Sequence, residues 1–266
     1  MATDLHFLRN AAERIAREAG ESTLAHFRST FQLEYKGDDS PVTNADREAE
    51  ERIRERIHRE FPDHGIIGEE YGSEGQEREV VWVVDPIDGT HSFIHGIPLY
   101  TTLVGILIGG VPKVGVIFAP ALGELVSAAV GGGTTLNGKR CRVRECTDPS
   151  KAVFLTTDVN HIYQYDFGKP FETLVRKTRL HRTWGDAYGH LMVASGRADL
   201  MFDPILNLWD AAPLQPVIQE AGGSFTDVSG VSTIQSGNAI SCTTGLKEYV
   251  LNLFADEKAE AGESDS

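Results

Sequence analysis

The chain reads as an α/β (α+β) protein in which mixed sheets carry helices on their faces. Three observations predict this. The N-terminal part holds two amphipathic helical stretches. The middle reads as successive strands joined by glycine turns. The second half alternates short strands with helices, and no Pro/Gly/Ser-rich linker divides the halves, which we therefore expect to be subdomains (about 1–145 and 146–255) of one domain, 1–255.

From Asp4 onward, Leu5, Leu8, Ala12, Ile15 and Ala19 step by three or four residues, predicting a helix that runs past Gly20 through Leu24 and Phe27. Glu34 to Pro41 (E-Y-K-G-D-D-S-P) is a charged loop. Thr43 is placed as an N-cap, with Ala45, Ala49, Ile53, Ile57 and Phe61 as the buried stripe of a second helix ended by Pro62. Asp46 falls in the first turn of that helix, where a carboxylate offsets the helix dipole by roughly 0.3–1 kcal/mol. His64 to Glu70 (H-G-I-I-G-E-E) is a short strand ending in two acids, and Gly72 to Glu79 a polar loop.

Val80 to Thr90 (V-V-W-V-V-D-P-I-D-G-T) follows. Its run of β-formers is too apolar for a surface strand, and it breaks at Asp85-Pro86. Leu103 to Ile108, Lys113 to Phe118 and Glu124 to Val130 continue as an antiparallel meander, and Asn137-Gly138 signals a hairpin. Beyond it, strands are expected at Ala152–Thr156, Leu180–Thr183, Leu200–Phe202, Ser224–Asp227 and Ala239–Thr243. Helices are expected at Phe171–Lys177, Ala187–Ser195, Trp209–Ala221 and Leu246–Phe254. The acidic segment 256–266 lacks bulky apolar residues and is expected to be disordered.

Totals narrow the function. Of 266 residues, Lys and Arg number 25 and Asp and Glu 39, so the net charge is −14. Phosphate backbones select basic surfaces, which argues against nucleic acid as a partner. An acidic protein that binds an anion needs a local cation, from Lys/Arg or from a metal. The three cysteines, Cys141, Cys146 and Cys242, show no C-x-x-C spacing and read as reduced thiols. No apolar span suits a signal core or a membrane crossing, so the expected compartment is the cytoplasm.

The chemistry sits in three acidic clusters at element ends: Glu69-Glu70, Asp85 with Asp88, and Asp210. Carboxylates gathered at strand ends repel one another unless a cation neutralises them. All-oxygen ligation suits Mg²⁺, or Mn²⁺ in its place, and not zinc. If the Pro86 turn aims both aspartates one way, the Ile87 carbonyl points into the same space. Two or more Mg²⁺ ions on shared carboxylates form a clamp for phosphoryl transfer to water. Backbone N–H groups of Gly89 and Thr90 offer an anion site if a helix starts there. The Thr90 hydroxyl suits orienting a water, with Asp46 accepting its proton. A rival is the D-x-D-G-T signature of phosphatases that form an aspartyl phosphate. Here the spacing is D-x-x-D-G-T, and the chain continues as a meander instead of parallel strand–helix repeats, which counts against it.

The set G-E-E (68–70), D-P-I-D-G-T (85–90), W-D-A-A-P (209–213) and E-A-G-G (220–223) resembles the inositol monophosphatase superfamily from about Ser40 to Phe254. The resemblance implies a layered αβαβα sandwich of the inositol monophosphatase/fructose-1,6-bisphosphatase type, a homodimer, and Mg²⁺-dependent, often lithium-sensitive, hydrolysis of a small phosphomonoester without a phosphoenzyme. By motif, it implies that Glu69, Asp85 and the Ile87 carbonyl hold one metal and Asp85, Asp88 and Asp210 a second. A third, weaker ion falls near Glu69. Thr90 and Asp46 match the water-activating residues.

R-T-W-G-D-A-Y-G (182–189), A-S-G-R-A-D (194–199) and D-P-I-L-N-L-W-D (203–210) are similar to the histidinol-phosphate phosphatase branch of that superfamily. Inositol-directed members typically carry G-[ST]-A where this chain has Gly185-Asp186-Ala187. Histidinol phosphate brings an ammonium and an imidazole, and Asp186 and Asp203 would meet that cation with two carboxylates. A helix N-cap is an equal and compatible reading of Asp186. The expected reaction is hydrolysis of L-histidinol phosphate in histidine biosynthesis. Alternatives are inositol 1-phosphate or a related sugar or nucleotide monophosphate and, in another class, a divalent-ion-binding regulatory protein without catalysis. Roles for His91, His95, Arg182 and Arg197 stay open, and Trp184 and Trp209 read as packing.

Overall fold

The structure, a computed structural model, describes residues 4–37 and 40–264, with side chains described up to residue 255. Its elements in order are α1 (Leu5–Thr23), β1 (Leu33–Tyr35), β2 (Pro41–Thr43), α2 (Asn44–Glu60), β3 (Gly65–Gly68), β4 (Gly72–Glu74), β5 (Val80–Asp88), α3 (Thr90–Ile94), β6 (Thr101–Ile108), β7 (Val111–Ala119), β8 (Glu124–Ala129), β9 (Gly133–Leu136) and β10 (Lys139–Arg140). The second half supplies β11 (Val153–Thr156), α4 (Val159–Gln164), α5 (Gly168–Lys177), β12 (Leu180–Arg182), α6 (Asp186–Ala194), β13 (Leu200–Asp203), α7 (Leu208–Glu220), β14 (Gly223–Thr226), β15 (Ala239–Thr243) and α8 (Lys247–Ser264).

The apolar run of β5 is buried on both faces because it divides two cores. Val80, Trp82 and Val84 face α1 and α2, packing with Ile15, Ile53 and Ile57. Val81 and Val83 face the opposite way, onto α6 and α7 through Leu191, Ala212 and Leu214. That second core continues onto one face of the other sheet at Val153, Leu155, Met201 and Phe225. The far face of that sheet, with Phe154, Phe202 and Ile240, is covered by Phe171 and Leu174 of α5 and Val250 and Phe254 of α8. The layers therefore run helices, sheet, helices, sheet, helices: the αβαβα sandwich.

The larger sheet has eight strands in the order β10-β9-β8-β7-β6-β5-β3-β4, and the smaller has five in the order β12-β11-β13-β15-β14. Both are mixed. Parallel pairing is confined to β3–β5 in the first and to β11–β12 and β11–β13 in the second. The Asn137-Gly138 hairpin forms with both residues at positive φ, 49° and 75°, the two-residue geometry that follows the strand twist.

Several boundaries differ from expectation. α1 stops at Thr23, whose hydroxyl bonds the Gly20 carbonyl and lies 3.0 Å from the Tyr100 hydroxyl, so Leu24 to Phe27 leave the helix in turns. The polar loop after Glu70 includes an edge strand, β4, and α4 lies in a stretch with no clear periodicity. α8 continues to Ser264, so most of the segment expected to be disordered has helical backbone, in keeping with the strong helix preference of its Ala, Glu and Lys. Residues 265–266 lie outside the described residues. No helix among the described residues is long and apolar enough to cross a membrane.

α7 is seated unusually close to the larger sheet. A Cβ built on Gly115 would lie 2.0 Å from the Pro213 carbonyl oxygen, and one on Gly105 3.0 Å from the Pro213 nitrogen. Backbone and rigid proline rings fill that gap, so it cannot give way as a flexible side chain would. Gly115→Ala should therefore destabilise the protein by about 1–3 kcal/mol. At this size that is a fall in thermal midpoint of about 2–4 °C for each kcal/mol. An unchanged midpoint would mean that α7 sits further from the sheet than described.

Candidate active site

In a regular strand, residues three apart point to opposite faces, so Asp85 and Asp88 should diverge. A β-bulge reverses that. Asp85 pairs with Leu103 and Asp88 with Thr101, so three steps on β5 oppose two on β6. Pro86 is tolerated because it lies in the bulge, and its carbonyl accepts from the Thr102 hydroxyl at 2.8 Å. Asp85 Oδ1 accepts the Ile87 N–H at 2.9 Å and fixes the turn. Both carboxylates thereby reach one side, where Asp210 meets them: Asp85, Asp88 and Asp210 each offer an oxygen within 4.8 Å of the other two.

Asp210 arrives from α7 as the N3 residue of a capping box, with Oδ2 accepting the Asn207 N–H at 2.7 Å. Asp88 Oδ2 accepts from the Thr101 hydroxyl at 2.9 Å and the Ala187 N–H at 2.8 Å. These bonds aim the acids without neutralising them. Burial, then the charges of Glu69, Asp88 and Asp210, pushes the Asp85 carboxyl well above its usual range. Burial, then Asp186, does the same to Asp88, and burial, then Asp88, to Asp210. Among the described residues no Lys or Arg pairs with any of the three. A hard divalent cation fits this set: close oxygen donors, buried, with no counter-charge of their own.

Glu69 stands beside this trio, at the end of β3. The G-E-E turn is clamped by buried Glu50 of α2, which accepts the Glu70 and Tyr71 N–H groups at 2.7 and 3.2 Å. The Glu69 carboxylate pairs with Lys36 at 2.8 Å, and the same ammonium reaches Glu70 at 2.7 Å. Burial opposes the charge on Lys36, but the two glutamates raise its pKa above the usual range.

Asp46 is buried as N3 of the α2 capping box. Its Oδ2 accepts the Thr43 N–H at 2.8 Å and the Thr43 hydroxyl at 2.6 Å. Burial pushes its carboxyl up to about 6, with Glu69 adding to the shift and Thr43 opposing it. The Thr90 hydroxyl donates to the Ile87 carbonyl at 3.0 Å, so here the two expected water-activating groups each hold a neighbour, and Ile87 is engaged by Thr90. Gly89 caps α3 in the left-handed region (φ 78°). Because α3 spans one turn, any anion there relies on local N–H groups more than on a helix dipole.

The second half contributes a further acidic wall. The α6 N-cap is Gly185, not Asp186, and Asp186 makes no capping bond. Its backbone sits at φ 52°, which turns its Oδ2 to 2.7 Å from where a Gly89 Cβ would be. Gly185 is fixed by close approach, since a Cβ there would meet the Thr157 Cα at 2.4 Å. Burial, followed by the charges of Asp203 and Asp210, pushes the Asp186 carboxyl up to about 7. Asp203, at the end of β13, is buried and accepts from the Thr157 hydroxyl at 3.1 Å.

A sequence profile of the inositol monophosphatase family matches residues 4–259. The chain belongs to the inositol monophosphatase family. It is 41% identical over 230 residues to a histidinol-phosphatase of Chlorobaculum parvum, covering 86% of this chain and 89% of that protein. It is 33% identical over 272 residues to Nus factor SuhB of Escherichia coli, covering 97% and 99% respectively. Among solved structures, the IMPase of Thermotoga maritima matches with a TM-score of 0.87 at 31% identity, covering 94% of this chain and 98% of that one.

Within this inositol monophosphatase-family fold, the residues expected at the site lie on β5, just after β3, at the end of β13, or at the N-caps and first turns of α2, α3, α6 and α7. Four neighbours escaped the sequence reading: Lys36, Thr101, Thr157 and His190. The lysine was visible as the cation of E-Y-K-G-D-D-S-P, although nothing local pointed it at Glu69. His91 and His95 are exposed and bond within α3, through the His91 carbonyl, and take no part in the acidic cluster. Arg197 is tied to Glu124 at 2.8 Å, and exposed Arg182 bonds the His181 carbonyl.

Proposed function

We propose that the chain is a Mg²⁺-dependent phosphomonoesterase that hydrolyses L-histidinol phosphate by direct attack of water. Asp85, Asp88 and Asp210 would hold the metal with Glu69, and the Ile87 carbonyl would join them by turning from Thr90. Bound Mg²⁺ supplies charge for the phosphoryl oxygens and acidifies a bound water. Around it the chain's own groups divide the work. The N–H groups after Asp88 would receive the phosphate, and the missing side chain of Gly89 makes room for the Asp186 carboxylate beside them. The Thr90 hydroxyl, with Asp46, orients the water and takes up its proton.

One observation carries the substrate assignment. The Asp186 carboxylate stands over Gly89, and the backbone N–H of the same residue is linked to Asp203 through Thr157, so a second acidic wall lies beside the place where the phosphate end would be held. A neutral polyol can offer these carboxylates hydroxyl donors alone, whereas a substrate with an ammonium and an imidazole also brings the opposite charge. The 41% identity to a protein named histidinol-phosphatase supports the same reading. Inositol 1-phosphate is the second reading, favoured by the similarity to the IMPase of Thermotoga maritima. A metal-binding protein without catalysis is the reading from another class.

Turnover of L-histidinol phosphate and inositol 1-phosphate, measured in parallel across Mg²⁺ concentrations and after chelation, tests all three. The expected kcat/KM preference for histidinol phosphate is about tenfold or more, the worth of one charged hydrogen bond. Chelation should stop both reactions. Parity, or preference for inositol, would overturn the substrate assignment. Mg²⁺ binding without release of phosphate would overturn catalysis.

A further inference from the structure

Among the described residues, one buried side-chain polar atom lacks a hydrogen-bond partner: Nε2 of His190. His190 lies within α6 and is fully buried. Its Nδ1 is 2.7 Å from the hydroxyl of Ser241, itself buried on β15. Its Nε2 faces Oδ2 of Asp203 at 3.7 Å. That separation is just beyond hydrogen-bond reach, and a small rotation of the carboxylate closes it. An orphaned donor in such surroundings costs about 1–3 kcal/mol. A group left in that state against a substrate-facing carboxylate is placed for use.

The same Asp203 oxygen accepts from the Thr157 hydroxyl at 3.1 Å, and Thr157 in turn accepts the Asp186 N–H at 2.8 Å. A line of polar groups thus runs Ser241, His190, Asp203, Thr157, Asp186, hydrogen-bonded at every step except the 3.7 Å from His190 to Asp203. It joins β15, α6, β13 and the loop after β11, and it ends over Gly89. Thr157 and His190 both approach Oδ2, and neither approaches Oδ1.

We propose that His190 is a positioning residue for substrate selection. The Ser241 hydroxyl donates to Nδ1, so the ring proton stays on Nε2 and is presented to Asp203. The imidazole fixes where that carboxylate meets the cationic end of the substrate and, through Thr157, its spacing from Asp186. No proton is transferred, and His190 does not touch the substrate. This inference rests on the histidinol phosphate reading for the identity of the cation, but not for the coupling of His190 to Asp203.

The test compares wild type, His190→Phe, His190→Gln, Asp203→Asn and the His190→Phe/Asp203→Asn double variant on histidinol phosphate and p-nitrophenyl phosphate, which carries no cation. His190→Phe should raise KM for histidinol phosphate about tenfold with kcat little changed, and should affect p-nitrophenyl phosphate far less. His190→Gln, which keeps an N–H donor near the position of Nε2, should recover most of the loss. In the Asp203→Asn background, His190→Phe should add less than about twofold, because the two residues act as one unit. Effects that multiply, or an equal loss on both substrates without rescue by Gln, would overturn the proposal. If His190→Phe does not fold, Ser241→Ala replaces it and should raise the same KM about threefold, with the same non-additivity toward Asp203→Asn; an unchanged KM there would overturn the proposal. Wild-type discrimination against inositol 1-phosphate is scored separately. If it is absent, the substrate reading fails, and the cycle is run on whichever monoester is turned over best.

Discussion

Asp88→Asn is expected to abolish turnover of every phosphomonoester, by on the order of 10³-fold or more, while leaving the protein folded. Oδ2 of Asp88 is already committed to Thr101 and Ala187, and an asparagine carbonyl oxygen can accept both bonds. The substitution therefore spares the bulge and removes only the charge, while turning an amide NH₂ toward the place of the cation. The three carboxylates repel one another in the free protein, so neutralising one relieves strain. The thermal midpoint in chelator should equal or exceed that of wild type, and the rise on adding Mg²⁺ should shrink. Activity on all substrates and midpoints with and without Mg²⁺ check this together. Turnover within about tenfold of wild type would remove Asp88 from the metal-holding set.

The second large effect is selective. Asp186→Asn should lower kcat/KM for histidinol phosphate by about 10- to 100-fold, the worth of a charged hydrogen bond, and p-nitrophenyl phosphate should lose far less. Asparagine is the better probe because residue 186 is left-handed, at φ 52°. Asn tolerates that conformation, whereas Ala adds a backbone cost of roughly 1–2 kcal/mol. Asp186→Ala should show the same selectivity with a lower midpoint. Equal loss on both substrates would make Asp186 a structural residue. A variant that gains on inositol 1-phosphate while losing histidinol phosphate would tie specificity to this one carboxylate.

How legible the site was depended on whether its geometry is local. Thr43 with Asp46, and the apolar run of β5, follow from spacing alone, because a capping box and a buried strand are local rules. The convergence of Asp85 and Asp88 is half-local. D-P-I-D announces a turn, but only pairing with β6 turns three residues into two steps and brings both acids to one side. Glu69 and Asp210 joined them through motif resemblance, since no period in the sequence links β3 to α7. Thr101, Thr157 and Lys36 were silent because a lone hydroxyl or ammonium acquires meaning only from what lies across a sheet or loop. Of the two readings of Asp186, the cap falls away: Gly185 takes that position, where a Cβ would meet the Thr157 Cα at 2.4 Å. The edge strands β4 and β10 are too short to show alternation, and the helical tail reflects intrinsic propensity winning over low hydrophobicity.

α7 carries Pro213 and Pro216 inside its span, and each leaves a carbonyl one turn back without its usual donor. Such a segment is a poor helix by itself, and it forms because Gly105 and Gly115 let it lie flush on the sheet. Asp210 rides on its first turn, far along the chain from the carboxylates it joins. The carboxylate proposed as the last ligand therefore joins the others only when this helix is docked on the sheet. With an ion held as proposed, its release and the undocking of α7 would be coupled. A bound cation would act as a latch on the rate at which the native state comes apart, and the lifetime of the protein would lengthen in its presence more than its equilibrium stability alone suggests.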